Sequence, residues 1–477
     1  MLKTEKILQG IPIARFRASI TCVSEGFGWN DIFVGDVASM IEYPHQNGGA
    51  EGFVNFAFDE PVRLRLLFPA KVESAVFRPS LRSKIDVAIL GTTVEMTFDK
   101  PRFGVLEVNY SSMNLPCYTV YILGDNVIEE PEESMLTRQI EPGWHSQLDL
   151  EYGDAQTLCF SPGLHEIEGG ELTLVSGHNI HLSRGAVIRA SLFGDNVENV
   201  KITGQGIFDG SGTLRLAGID HLSDSGRPGF FVFYKGQNIL LDGCLLYNPS
   251  FWNIVPVGTK HLTIRNHKAL AWIGNTDGIQ PRSCSELLVE NCFLKCNDDC
   301  IAVKTRRAIG MVSRNLVFKN LVLWNDLYGN ALEIGHSSQG DLLENLVFKD
   351  IDVIRGTERA AVDICITDHS LVRNLLYEGI NVEGAKFLYD FAFMLSQDQT
   401  YGSNDRSGHV SDVHIKTFRS DGAPRGALIK GIEGDPIENV LFEDIRFNCA
   451  APDSEWKASS PEELEMDAGF ASEIVVK

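Results

Sequence analysis

A repeat constrains this chain more than any other feature. Short triplets with apolar ends recur at residues 200–202, 239–241, 262–264, 287–289, 316–318, 346–348, 375–377 and 440–442. Most successive steps span 23 to 30 residues, with longer steps where loops are inserted, as between Tyr377 and Val440. Asparagine precedes the triplet at Asn199, Asn238, Asn315, Asn345, Asn374 and Asn439. A second short run usually follows a polar break, as in "LVFKNLVLW". Helical repeats would need a 3.6-residue period, and these runs are too short and too β-branched for that. Leucine-rich solenoids repeat at this length but carry a Leu/Asn pattern and a helical side that are missing here. A parallel β-helix fits: each coil holds several short strands, and equivalent positions of stacked coils form ladders about 4.8 Å apart. The asparagine then reads as a turn residue stacked on its copies.

The first 140 or so residues read differently. Runs such as "FVNFAF", "VRLRLLF", "VEMTF" and "VLEVNY" alternate between polar and apolar and are separated by Pro, Gly and Asp-rich turns. That pattern predicts an antiparallel β-sandwich. The expected plan is all-β: a sandwich over 1–145, a right-handed parallel β-helix over 146–450, and a tail over 451–477. The acidic tail is expected to form a short capping helix or to be partly disordered.

Composition narrows the partners. Hydrophobic residues make up 44% of the 477 positions and charged residues 22%, as in a globular protein with a large core. A net charge of −22 argues against nucleic acid and against anionic membrane surfaces. No apolar run reaches the roughly 18 residues of a membrane span, and charges interrupt the N-terminus before a signal-peptide core forms. Ten scattered cysteines lack zinc-site spacing and suit reduced thiols, so a cytoplasmic location is expected, with a secreted form also open. The sequence leaves the oligomeric state undetermined.

The repeat allows the chain to be aligned on itself. "TDGIQPR" (276–282), "DDCIAVK" (298–304), "GNALEIG" (329–335) and "AAVDIC" (360–365) superpose on their apolar pairs. In that register Asp277 stands over Asp299, with Asp298 one residue earlier. Three carboxylates would converge from two adjacent coils. Like charges that close raise at least one pKa, leaving a protonated acid beside carboxylate bases. Inverting glycoside hydrolysis needs such a pair of roles. A solvated turn is the plain alternative for any one of these aspartates alone.

The segment from "NPSFWNIVPVG" through "GNTDGIQPR" to "KCNDDCIAVKT" resembles the core of the polygalacturonase family of glycoside hydrolases, which are right-handed parallel β-helices. The likeness rests on "NTD" at 275–277 and "NDD" at 297–299. It extends more loosely through "GQGIFDGSG" and "GRPGFFVF", from about Gly163 to about Asn448. The resemblance implies Asp298 as general acid, with Asp277 and Asp299 holding the attacking water, and no metal or cofactor.

Two departures matter. Asn330 falls where the family carries histidine, and His336 comes only after the strand. Asp363 and Cys365 occupy the place of the Arg-x-Lys pair that grips uronate carboxylates. A carboxylate there would repel galacturonate. The dextranases and isopullulanases share the three aspartates, lack that pair and place a β-sandwich first; this chain is similar in all three respects. The implied substrate is a neutral polysaccharide or oligosaccharide. A pectic substrate, a silent glycan-binding β-helix and a polysaccharide lyase are the alternatives, and the lost uronate clamp disfavours the lyase.

Further cleft-facing candidates follow from the register: Asn275, Gln280, Arg282, Lys304, Asn330, Glu333, His336 and Asp363. Lys304 is placed either to act on the acidic patch or to pair with Glu333. Trp252, Trp272 and Trp324 lie near strand ends, and the first two are expected to offer a face to a sugar ring, against the plainer reading of core aromatics.

Overall fold

The computed structural model describes the chain except residues 6–7, 15, 26–27, 38–50, 83, 112–116, 133, 212–228, 307–309, 327 and 397–407. The start of the "GRPGFFVF" segment and the last residue of "GQGIFDGSG" therefore lie outside the described residues.

Two sheets form the N-terminal sandwich. One joins Asn30–Ile32, Arg17–Cys22, Val62–Leu67, Thr93–Phe98 and Val87–Leu90, antiparallel throughout. The other joins Leu2–Lys3, Glu51–Phe58, Tyr118–Asp125, Arg102–Tyr110 and Val72–Arg78, with Gly35–Val37 paired to Glu51–Phe58. Within it the pair Tyr118–Asp125 and Glu51–Phe58 is parallel, which alternation alone does not encode. Inward residues such as Phe56, Phe58, Leu64, Phe98 and Val120 fill the space between the sheets.

From Thr137 onward the chain winds into a right-handed parallel β-helix, and strands of successive coils pair in register. Its core is a column of apolar side chains, with ring-on-ring stacking of Phe318, Phe348 and Tyr377 across three coils. The asparagine ladder is present. Asn238 donates to Asn199 at 3.1 Å, Asn345 to Asn315 at 3.0 Å and Asn374 to Asn345 at 3.2 Å. Each sits near φ +55°, the left-handed region that asparagine tolerates better than other side chains. His261, Glu286 and Asp412 fill the same place on the coils without asparagine.

Asp412 exposes a repeat that pattern reading passes over. Val413 pairs with Leu375 and with Val440, so the long step between Tyr377 and Val440 contains a complete coil. Its asparagine is replaced, and the middle of its triplet is His414. The C-terminal segment also differs from the helix or disordered tail expected. Met466–Gly469 pairs with Ala427–Lys430, and Ala471–Val476 pairs with Ile437–Phe447, so these residues cap the open end of the solenoid with a further coil. Free backbone groups at a sheet edge favour pairing over a detached helix.

Asn345→Ala should lower stability by about 2 kcal/mol, since it removes two ladder hydrogen bonds and strains a left-handed backbone. Asn345→Gly should cost less because glycine tolerates that backbone. Chemical unfolding of both variants checks this; equal losses would remove the backbone contribution.

The sandwich docks on the solenoid through a shared apolar layer and buried charges. Phe53, Phe103, Tyr121 and Leu123 meet Tyr247, Leu270, Trp272, Phe293 and Trp324. Lys268 of the solenoid pairs with Asp125 of the sandwich, both fully buried. Glu383 accepts hydrogen bonds from the Ser80 and Leu81 amides at 2.6 and 3.0 Å. A third anchor gathers Glu51, Tyr121, Lys295, Asp326 and Arg355. Tyr121 donates to Glu51 at 2.9 Å, and Asp326 takes Lys295 at 2.8 Å and Arg355 at 3.1 Å. Burial pushes Glu51 up to about 7. Burial opposes the charge on Lys295, but Asp326 and Glu51 outweigh it and raise its pKa.

All ten cysteines are free thiols. Among the described residues, no helix is long and apolar enough to cross a membrane.

Candidate functional site

The face carrying the site is the six-stranded column of Ile301–Val303, Leu332–Gly335, Ala360–Ile366, Tyr389–Leu395, Ala427–Lys430 and Met466–Gly469. Isolated bridges extend it backward, linking Ile254 to Ile279, Ile279 to Ile301 and Arg282 to Lys304. Apolar residues Ile279, Ile301, Val303, Leu332 and Ile334 point into the core. Alternation turns Gln280, Ala302, Glu333 and Asp363 to the outer face.

This register sets Asp277 beside Asp299. The carboxylate oxygens of Asp277, Asp298 and Asp299 lie within 4.8 Å of one another. Asp277 and Asp299 are buried, and Asp298 is half-buried. Gln280 donates its amide to Asp277 Oδ2, and the Asn330 backbone N–H donates to Asp299 Oδ1 at 2.7 Å. The Asp299 N–H donates to Asp298 Oδ1 at 2.9 Å. Burial first, and then the charges of Asp298 and Asp299, push Asp277 well above the usual carboxylate range. Burial, and then Asp299, raises Asp298 to about 7. The trio therefore retains a proton at neutral pH, shared across coupled groups.

Gly329 makes this packing possible. It has φ +77°, and a Cβ there would come 2.5 Å from both the Asp299 N and its Oδ1, and 2.7 Å from Asp298 Oδ1. Any side chain would force the carboxylates apart.

A second layer orients the first. Arg282 Nε donates to Gln280 Oε1 at 2.7 Å, and its guanidinium lies 4.4 Å from the centre of the Trp252 ring. Burial, and then Arg306, lowers Arg282 to about 9. Lys304 is buried and its charge opposes the upward shifts of Asp277 and Asp298. No ion pair joins it to Glu333 among the described residues. Asn330, where the polygalacturonase pattern has histidine, donates its side-chain amide to Glu333 at 2.7 Å.

One coil on, Glu333 and Asp363 stand side by side. Burial, and then Asp363, pushes Glu333 well above the carboxylate range, and burial raises Asp363 to about 6. Sequence reading missed Arg359, which sits 3.1 Å from Asp363. Its signal was an i, i+4 pair within "RAAVD", easily lost in a strand.

The structure does not bring every candidate together. Trp272 is buried in the layer between sandwich and solenoid, its ring 4.9 Å from that of Tyr247, and so offers no face to a sugar. Trp324 lies in the same layer. Trp252 is also buried, and Arg282 occupies its face. These coil edges are covered by the sandwich or by neighbouring side chains, where large aromatics gain most from burial. His336 is exposed at the strand end, outside the carboxylate cluster, with its N–H bonded to the Cys365 carbonyl at 2.6 Å. Asn275 is exposed beside the site at φ +58°.

A β-helix with a cluster of partly protonated carboxylates on one column is an arrangement suited to glycoside chemistry, and the comparisons agree. Residues 168–322 carry a domain matching Glycosyl hydrolases family 28. A probable polygalacturonase of Vitis vinifera is 26% identical over 278 residues, 54% of this chain and 55% of that protein. A probable exopolygalacturonase B of Aspergillus fumigatus is 26% identical over 272 residues, 52% of this chain and 58% of that one. The chain thus spans little more than half the length of these curated relatives. Dex49A from Penicillium minioluteum shares the fold along 100% of this chain and 96% of its own, with a TM-score of 0.65 at 13% identity.

Proposed function

We propose that this chain hydrolyses glycosidic bonds of a polysaccharide or oligosaccharide by single displacement. The observation that carries the reading is the set of three aspartate carboxylates within 4.8 Å. Asp298, the most exposed of them, donates a proton to the leaving oxygen. Asp277 and Asp299 hold the attacking water, with the proton shared by the trio resting on Asp298 in the productive state. One water can bridge two oxygens at about this separation, with a hydrogen bond of about 2.7–2.8 Å to each. Asp277 Oδ1 is buried without a partner and is free to accept one of those bonds.

A second reading has a specific observation in its favour. Retaining glycosidases set their carboxyl groups about 5–5.5 Å apart and inverting ones about 6.5–9.5 Å. One oxygen from each aspartate lies within 4.8 Å of the others, a closer grouping than the inverting range, so the anomer of the product decides. Net inversion is expected; net retention would end the single-displacement reading.

The substrate we propose is neutral. The position one coil past Glu333, where the polygalacturonase pattern sets its uronate-gripping cations, is Asp363, and the nearby Arg359 is already engaged by it. Screening α-glucans, galactose- or rhamnose-containing oligosaccharides and pectic fragments should give turnover of a neutral glycan and little on polygalacturonate. A clear preference for galacturonate would overturn the neutral assignment and leave the hydrolytic one standing.

A further inference from the structure

A cavity of about 480 Å³ opens on the outer face of the five-stranded sheet of the sandwich. The solenoid packs against the other sheet, so this cavity lies on the far side of the sandwich from the aspartates. Strand alternation builds it. Ala18, Ile20, Leu64, Leu66, Val94 and Met96 point into the sandwich core, which turns Ser19, Arg65 and Glu95 outward. Cross-strand register aligns them: Asp31 sits opposite Ser19, Ser19 opposite Arg65, and Arg65 opposite Glu95. Arg17, Leu67, Leu90, Thr93 and the half-buried Trp29 also line it.

The row is organised before any ligand arrives. Arg65 pairs with Glu95 at 2.7 Å and lays its guanidinium 3.8 Å from the centre of the Trp29 ring. Two guanidinium groups, Arg17 and Arg65, and two carboxylates, Asp31 and Glu95, line the site, so it has no net charge to attract an ion. It alternates donors and acceptors beside an indole edge. Such a surface complements a neutral polyhydroxylated ring, with apolar C–H faces and a rim of hydroxyls. The volume also falls in the range of small-ligand sites, about 300–1,000 Å³.

We propose that this face is a second glycan-binding site that holds a neutral polysaccharide segment apart from the catalytic cleft. Its benefit rests on the reading of the solenoid as a glycoside hydrolase: tethering one stretch of polymer raises the effective concentration of the next at the cleft. Its binding does not depend on turnover.

The test is native gel electrophoresis of the full chain through dissolved dextran, galactan or polygalacturonate, in an Asp298→Asn background that leaves the polymer intact. A neutral polymer is expected to retard the parent, and Trp29→Ala should weaken that retardation about tenfold. Arg17→Ala should weaken it in the same direction, and it decides the matter if Trp29→Ala loses the β-sheet circular dichroism. With Asp298 restored, both variants should cleave a short oligosaccharide at the parent rate and lose rate only on polymer. The proposal is overturned if no neutral polymer retards the parent. It is also overturned if both variants migrate like the parent, or if only retardation by polygalacturonate depends on Trp29. A parent that binds but never hydrolyses would remove the catalytic reading and leave this one in place.

Discussion

Asp298→Asn is expected to cut kcat about a thousandfold while leaving the chain folded. Asparagine keeps the shape of the side chain and can still accept the Asp299 N–H, but it has no proton to give. The same change should alter how stability depends on pH. The folded-state pKa of Asp298 lies near 7, above its ordinary value, so its stabilising contribution is complete below about pH 4 and is lost as pH rises through 7. Removing the ionisable group removes that loss. The variant should therefore resist heat better than the parent at pH 8 and differ little at pH 4. Thermal unfolding at the two pH values, beside initial rates on the best substrate, reads both effects. Near-normal turnover would sink the assignment of the acid, and an unchanged pH profile of stability would remove the buried charge from the account.

Asp125→Ala should be the most damaging change outside the site. It leaves Lys268 buried without its carboxylate, and breaking a buried pair costs about 3–5 kcal/mol. Two carbonyls, Gly243 and Asn266, still accept from the ammonium, which does not neutralise it. Replacing both partners at once, with Asp125→Leu and Lys268→Met, should recover much of the loss because no charge is then stranded. Urea unfolding midpoints of the single and double variants separate the two cases. An equal loss in the double variant would assign the effect to packing. Glu378→Ala, which breaks the surface pairs with Lys349 and Lys416, should change the midpoint little and serves as the control.

The solenoid was legible because its period is written in residues that must repeat: apolar triplets for the core and asparagine for a left-handed turn. The coil at Asp412 escaped because a replaced asparagine coincides there with a histidine, His414, in the middle of the triplet, within the long step from Tyr377 to Val440. The carboxylate trio followed from the same register, since Asp277 and Asp299 are two residues before paired isoleucines. What could not be read was anything set by the second domain. Trp272 looks like a sugar platform on a solenoid edge, yet the sandwich covers that edge, and no local pattern announces a partner more than a hundred residues away. Arg359 was hidden for a related reason: an i, i+4 spacing signals contact on a helix, and here a loop before the strand brings the groups together.

The docking of Lys295 has a consequence for how the molecule can be divided. This lysine is the next-to-last residue of the strand Ser285–Cys296 and lies three residues before Asp298. Its ammonium is held where the sandwich supplies Glu51 and Tyr121. A solenoid prepared alone, cut between Asn126 and Thr137, would open to water the buried layer directly behind the turn that carries Asp298 and Asp299 and would strip Lys268 of its counter-ion. The sandwich is thus a fixed wall of the solenoid, and dissection into separately expressed halves should fail where a simple string of independent modules would survive it.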